Sequence, residues 1–198
     1  SIIIILFNQA PLSLLCFQSL LDTISIATEV IIIDNASSDN TQQLLEKCTG
    51  ATIIYNESNV GFVEAVNQGA AASRGEHILL LNNDAILQKD AVENAVETLE
   101  SDEQIGAVGG KIVLLDGSLQ EAGSIVWNDA SCLGYGRGRN PNDPEFMFQR
   151  EVDYCSGAFL LIKNHLFKQL NGFDLDYAPA YYEESDFCFR LKKLGYKV

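Results

Sequence analysis

Three clusters of carboxylates and amides stand at the ends of apolar runs. "EVIIIDNASS" delivers Asp34 and Asn35, "HILLLNNDA" delivers Asn82, Asn83 and Asp84, and "YYEESDFCFR" sets Glu183, Glu184 and Asp186 at the start of an amphipathic stretch. Such groups suit a small set of chemistries. An acid beside a nucleotide accepts from its base or ribose, and one beside a diphosphate needs a divalent cation between them, Mg²⁺ or Mn²⁺ with oxygen ligands. A carboxylate walled off by Tyr181 and Tyr182 suits a general base. Each cluster also has a plainer reading, because Asn and Asp favour turns and acids in a first helical turn are favoured by the helix dipole. Two clusters directly behind two buried strands weigh against simple turn chemistry. For the third, the residues alone leave base and dipole level.

The elements that must carry these groups alternate. Apolar runs at 2–6, 29–33, 51–55 and 77–81 are each followed by a helical pattern. The first helix carries Leu12, Leu15, Leu20 and Leu21; the second has Ser37, Ser38 and Asp39 as capping candidates. The third is Ala-rich and closed by Gly75, and the fourth is apolar at Ala91, Val92, Ala95, Val96 and Leu99. Strand–helix alternation of this length predicts a parallel sheet with right-handed crossovers, and uniformly oily strands predict cover on both faces. In the second half, "IGAVGGKIVLLDG" and "VDYCSGAFLLIK" read as longer strands, "GYGRGRNPNDPEF" as a mobile connection, and "NHLFKQLNG" and "ESDFCFRLKKLG" as helices. The fold class is therefore α/β with a mixed sheet. Ligands of such sheets bind beyond the carboxyl ends of the strands, where the first two clusters lie.

Composition narrows the function. The 198 residues, 47% hydrophobic, suffice for one well-packed domain, and 13 Lys+Arg against 27 Asp+Glu give a net charge of −14. A surface that negative repels phosphate backbones, which argues against nucleic acid as a partner. Five scattered cysteines with no CxxC pair suit reduced thiols in the cytoplasm. No apolar run reaches membrane-spanning length. "LFNQAPLS" has no glycine, so the dinucleotide fingerprint is missing after the first strand; a Walker A loop and a GxSxG elbow are missing too. The abrupt start and finish suggest a domain cut from a longer protein.

Six motifs in order, strand-"FN", "VIIIDNASSDNT", "NVGFVEAVNQGAAASRGEHILLLNNDA", "DYCSGAFLLIK", "LNGFDLDY" and "YYEESDFCFRLKKLGYKV", resemble the inverting glycosyltransferases of family two, with the GT-A fold. The resemblance covers essentially the whole chain. It implies a single GT-A domain over 1–198, a Rossmann-like, mostly parallel mixed sheet with a nucleotide-sugar half followed by an acceptor half. The "APAYYEESDFCFR" form is most similar to domains of O-antigen and other cell-surface polysaccharide synthesis, including rhamnosyltransferase-like members.

What the resemblance implies can be placed residue by residue. Asp34 contacts the nucleotide base, Asn59 and Gly61 form the turn beside it, and Asn67 faces ribose or phosphate. Asn82, Asn83 and Asp84 stand at the family's Asp-x-Asp motif, with Asp84 as metal ligand for Mn²⁺ or Mg²⁺ and Asn82 on the ribose. Gly157 lets the backbone approach the donor sugar. Glu184 falls where the family has the Asp of its "ED" pair, the base; the change adds about 1.5 Å of reach and leaves Glu183 as its rival. Asp186 organises the helix, Arg190 pairs with an acid, and Arg137 and Arg139 either close over the ligand or stay solvated. The implied partners are a UDP- or dTDP-linked sugar and a glycan or lipid-linked acceptor, at the cytoplasmic face of the membrane. A further metal ligand, a histidine, would follow "GYKV". The alternative is a non-catalytic nucleotide-sugar or glycan-binding module within a larger assembly protein.

Overall fold

The computed structural model describes residues 1–198. The first half follows the predicted alternation: β1 (Ile2–Leu6), α1 (Ala10–Thr23), β2 (Val30–Asp34), α2 (Thr41–Leu45), β3 (Ala51–Tyr55), α3 (Phe62–Ala72), β4 (His77–Leu81) and α4 (Ala91–Glu100). Five short strands follow: β5 (Ala107–Gly109), β6 (Ile112–Val113), β7 (Leu119–Glu121), β8 (Ser124–Val126) and β9 (Cys132–Gly134). The chain then returns through β10 (Phe159–Lys163) and closes with α5 (Asn164–Gln169) and α6 (Glu183–Lys193).

One six-stranded sheet, in the order β3-β2-β1-β4-β10-β5, organises the domain. β1 to β4 are mutually parallel, and β10 runs antiparallel to both β4 and β5. The sheet is mixed, and the strand period explains the continuous oiliness of its strands. Ile3, Ile31, Ile33, Ile78 and Leu80 pack on one face with α3 and α6. Ile2, Ile4, Leu6, Ile32, Leu79 and Leu81 pack on the other with Cys16, Leu45 and Leu99 from α1, α2 and α4. Successive side chains point to opposite faces, so both registers must be apolar.

Several expectations are corrected. Helix α1 forms where predicted, but it buries Ala10, Ser13, Cys16, Ser19 and Leu20, while Leu12 and Leu15 are exposed and Leu21 is 85% exposed. Gly75 does not close α3. The helix stops at Ala72, and the Ser73 hydroxyl donates to the Ala70 carbonyl at 2.7 Å. Gly75 is instead needed for space, since a Cβ there would lie 2.5 Å from the Ser1 nitrogen. Of the three capping candidates, Asp39 does the work: Oδ1 accepts from Thr41 N at 2.9 Å and Oδ2 from Ala10 N at 3.0 Å, so one carboxylate ties the starts of α2 and α1 together.

The two longer strands are also interrupted. "IGAVGGKIV" breaks between β5 and β6 at Gly110 and Lys111. A Cβ at Gly109 would meet Cys155 Sγ at 2.4 Å, and one at Gly110 would meet the Phe159 ring at 3.0 Å. "VDYCSGAFLLIK" becomes a strand only at Phe159, because Ser156 makes a turn there: its carbonyl accepts from Phe159 N at 3.3 Å. The stretch predicted to be mobile contains part of β9 and a 3₁₀ turn at Pro144–Phe146. Arg139 is committed within it, pairing with Asp143 at 3.2 Å and Glu145 at 2.5 Å and lying over the Phe146 ring, so it does not reach for a ligand. No helix is long and apolar enough to cross a membrane.

Candidate active site

The carboxyl ends of β1, β2 and β4 open on a cleft of about 590 Å³. Its walls include Asn59 and Gly61 before α3, Asn82, Asn83 and Asp84 after β4, and Pro179 with Ala180 before α6. Five predicted site residues therefore share one cavity. A second cavity of about 550 Å³ lies beside edge strand β5 and contains none of them.

Register explains the convergence. Leu6 pairs with Asp34 at the last rung of β1 and β2, and Asn35 N donates to the Leu6 carbonyl at 2.8 Å, so the polar residues begin where the strands end. On the other side, Asn82 N donates to the Ala158 carbonyl at 3.1 Å. The Asn83 amide donates to Ser13 Oγ at 3.0 Å, leaving its Oδ1 without a protein donor. Asp84 is exposed and accepts no hydrogen bond from the protein.

This donor set can be tested against a hard divalent cation. One uncommitted carboxylate and two side-chain amide oxygens, all in one cleft, are the hard oxygen ligands that Mn²⁺ or Mg²⁺ takes, with substrate phosphates completing the shell. The residues fit. A separate acidic group of Glu76, His77 and Glu100 lies at the start of β4, the opposite end of the strand, and plays no part in this cleft.

Asp34 lies at the cleft without opening onto it. It is fully buried, accepts from Ser37 N at 3.0 Å through Oδ1, and has a buried Oδ2 with no partner. The neighbouring Asn35 lines the cleft in its place. A buried acceptor without a donor is uncommon and marks a place where a ligand could supply one.

Two predicted residues are occupied elsewhere. The Asn67 carboxamide bonds both backbone groups of Phe173, Nδ2 to its carbonyl at 2.8 Å and Oδ1 from its N–H at 2.9 Å, and it does not line the cleft. Gly157 lies behind the Phe62 ring, with 3.4 Å between a built Cβ and that ring, so Phe62 and not Gly157 forms the wall.

Glu183 and Glu184 open α6 just beyond Ala180. Tyr181 and Tyr182 immediately before them both have left-handed backbones, at φ 84° and 69°. Two consecutive bulky residues in that region are strained, and such strain concentrates at functional sites. Glu183 is buried, and its carboxyl is pushed up to about 7, first by burial and then by the charge of Glu184. Burial also raises Glu184, against an opposing hydrogen bond from Glu183. Each has one buried oxygen with no partner. Neither lines the cleft directly. Asp186 bonds Arg190 Nε at 2.6 Å within the helix, which matches the organising and pairing roles expected of the two.

Sequence reasoning missed Glu121 on β7. It is 5% exposed, accepting from Ser156 N at 3.2 Å and Ser124 Oγ at 3.4 Å. Burial raises its pKa; Arg137 opposes that rise and the charge of Glu184 adds to it. Phe7 and Gln9 in the cleft were missed too. A lone acid in "SLQEAG" carries no motif, so only the turn of "CSGA" onto β7 reveals it.

Comparison with known proteins agrees with this geometry. The domain superposes on the mannosyltransferase PcManGT of Pyrobaculum calidifontis, in complex with GDP-Man and Mn²⁺, with a TM-score of 0.74 at 20% identity, covering 99% of this chain and 52% of that one. It superposes on GalNAc-T7 with UDP, GalNAc and Mn²⁺ with a TM-score of 0.73 at 12% identity, covering 99% of this chain and 41% of that one. These similarities establish the GT-A fold. An uncharacterised protein of Sinorhizobium fredii is 24% identical over 179 residues, 85% of this chain and 20% of its own length. The poly-beta-1,6-N-acetyl-D-glucosamine synthase of Staphylococcus aureus is 33% identical over 85 residues, 41% of this chain and 21% of its own length. The chain thus spans about a fifth of these two curated relatives. A family model for glycosyl transferase family 2 matches residues 1–170, and the chain belongs to that family.

Proposed function

We propose that the domain transfers a sugar from a nucleoside-diphosphate sugar to an acceptor hydroxyl with inversion, in the synthesis of a bacterial polysaccharide of the O-antigen type. The observation that carries this is the shared cleft: Asp84, Asn82 and Asn83 form one part of its wall, Asn59 and Gly61 another, and Pro179 and Ala180 lead directly into the Glu183–Glu184 pair. The nucleotide sugars and Mn²⁺ of the two structural neighbours support a donor of this class. The polysaccharide synthase relative supports the setting. Five free cysteines suit a cytoplasmic site, at the membrane face in the whole protein.

The chemistry follows from the placement of the acids. Asn82 and the Asn59–Gly61 turn hold the nucleoside, with Asn35 lining the cleft and Asp34 buried next to it in the chain. Glu184 takes the acceptor's hydroxyl proton while that oxygen bonds to the anomeric carbon. The bond to the diphosphate oxygen breaks on the opposite side, and the nucleoside diphosphate leaves with the electron pair. Burial raises the proton affinity of both carboxyls, and the charge of Glu184 adds to the rise at Glu183, the direction that makes a carboxylate a stronger general base. Asp84 with the amide oxygens of Asn82 and Asn83 would hold Mn²⁺ or Mg²⁺, which would supply Lewis-acid stabilisation of charge on the diphosphate.

A binding module without turnover is the second reading. It is favoured by one fact, that neither Glu183 nor Glu184 lines the cleft in this structure. A thermal-shift screen of UDP, dTDP and GDP and their sugars, with and without Mn²⁺, tests the donor class. Release of nucleoside diphosphate by the intact protein separates enzyme from module. No shift with any nucleotide would defeat both readings.

A further inference from the structure

Helix α3 grips the segment that carries the acids at two places. At its N-terminus, Phe62 N and Val63 N both donate to the Pro179 carbonyl, at 2.7 and 3.3 Å. Gly61 makes room, since a Cβ there would lie 2.8 Å from that same carbonyl oxygen. Further along the helix, the Asn67 carboxamide presents a donor and an acceptor side by side, as a neighbouring strand would, and holds Phe173 through both. Gly172 is fitted to this contact, with a built Cβ only 2.4 Å from Asn67 Oδ1.

The chain between these grips, residues 173–179, runs on through the two left-handed tyrosines to Glu183. Asparagine is a weak helix former, and in an Ala-rich helix it needs a reason to be there. A nucleotide contact was the expected one, and both polar ends of the side chain are spent on Phe173.

We infer that Asn67 is a positioning residue for transfer: through Phe173 it sets where the 173–182 segment, and hence the Glu183–Glu184 pair, stands relative to the donor cleft. This rests on the glycosyltransferase reading above. Placement errors of about 1 Å can cost a hundredfold in rate, and Pro179 and Ala180 on this segment are themselves cleft wall. Loss of the clamp should then slow the chemical step and spare nucleotide binding.

The test uses the full-length protein. Asn67→Asp keeps an acceptor for Phe173 N and sets a carboxylate against its carbonyl; Asn67→Ser removes the clamp without adding charge, should the first variant fold poorly. The expected result is a fall in kcat of about tenfold or more, less than a twofold change in calorimetric affinity for UDP with Mn²⁺, and faster hydrogen exchange confined to 173–182. Affinity falling in step with kcat would overturn the inference, because Asn67 would then serve the nucleotide; unchanged kcat would overturn it as well. If the unaltered protein releases no nucleoside diphosphate from any donor, the glycosyltransferase reading fails instead. The clamp is then judged by exchange alone: faster exchange in 173–182 upholds it, and unchanged protection overturns it.

Discussion

Glu183 and Glu184 hold adjacent carboxyl groups at the start of α6, each with a buried oxygen that no donor reaches. The pair titrates as a unit, and its proton affinity is raised chiefly by burial. A base must be deprotonated to act, so kcat should climb as pH rises through the neutral range and level off above it. Glu184→Gln should lower kcat by about 10²–10⁴, read as release of nucleoside diphosphate by the full-length protein. Retention of most activity would transfer the role to Glu183.

The same burial has a stability consequence. Folded Glu183 binds its proton more tightly than the unfolded chain does, with a pKa moved from 4.5 to about 7. Stability therefore falls as pH rises across that window. Glu183→Gln should stabilise the protein at pH 8, by about 1 kcal/mol or more, or roughly 2–4 °C in Tm, with little gain at pH 4. Equal melting shifts at both pH values would contradict the assigned cause.

Asp84 is the carboxylate left free in the cleft. Asp84→Ala should abolish the Mn²⁺-dependent part of UDP binding and leave any metal-independent part intact. Isothermal calorimetry with and without Mn²⁺ measures this directly. Identical affinities for the variant and the unaltered protein in Mn²⁺ would remove Asp84 from the metal site.

Glu121 offers a test of electrostatic coupling. Its charge lies near enough to Glu184 for each to discourage ionisation of the other. Glu121→Gln keeps an acceptor for Ser156 N and removes the charge, so the midpoint of the kcat–pH profile should move to lower pH by a few tenths of a unit to about one. A profile that does not move, with activity retained, would reduce Glu121 to an anchor for the Ser156 turn.

Gly69 shows how tightly α3 sits on the sheet. A Cβ there would approach Ile3 Cγ2 to 2.6 Å and Ile33 Cδ1 to 2.8 Å. Gly69→Ala should cost about 1–3 kcal/mol through overpacking, measured by urea denaturation. An unchanged midpoint would show that the helix can shift without penalty.

Much of this architecture was legible in the chain. Ile2 to Leu6 and Ile78 to Leu81 read as doubly covered strands because every position is apolar, and both faces are indeed buried. Asp34 and Asp84 stood out because polar residues follow those runs directly. What misled was apolarity without period: Leu12, Leu15 and Leu21 marked a helix correctly, yet its buried face joins Leu20 to four small residues, Ala10, Ser13, Cys16 and Ser19. The break after Gly109 lies where Gly109 and Gly110 meet Cys155 and Phe159, and the Ser156 turn is anchored on Glu121, in each case a partner far away in sequence.

The sequence by itself determined the alternation of elements, the sheet edge where ligands bind and the family, because these depend on local periodicity and contiguous motifs. Only the tertiary structure decided what each polar group is free to do. Asn67 spends its amide on Phe173, Arg139 spends its charge on Glu145, and Glu121 enters the neighbourhood of Glu184. A side chain's chemistry is set by what stands within about 3 Å of it, and those neighbours range from six residues away, for Arg139 and Glu145, to 106 away, for Asn67 and Phe173.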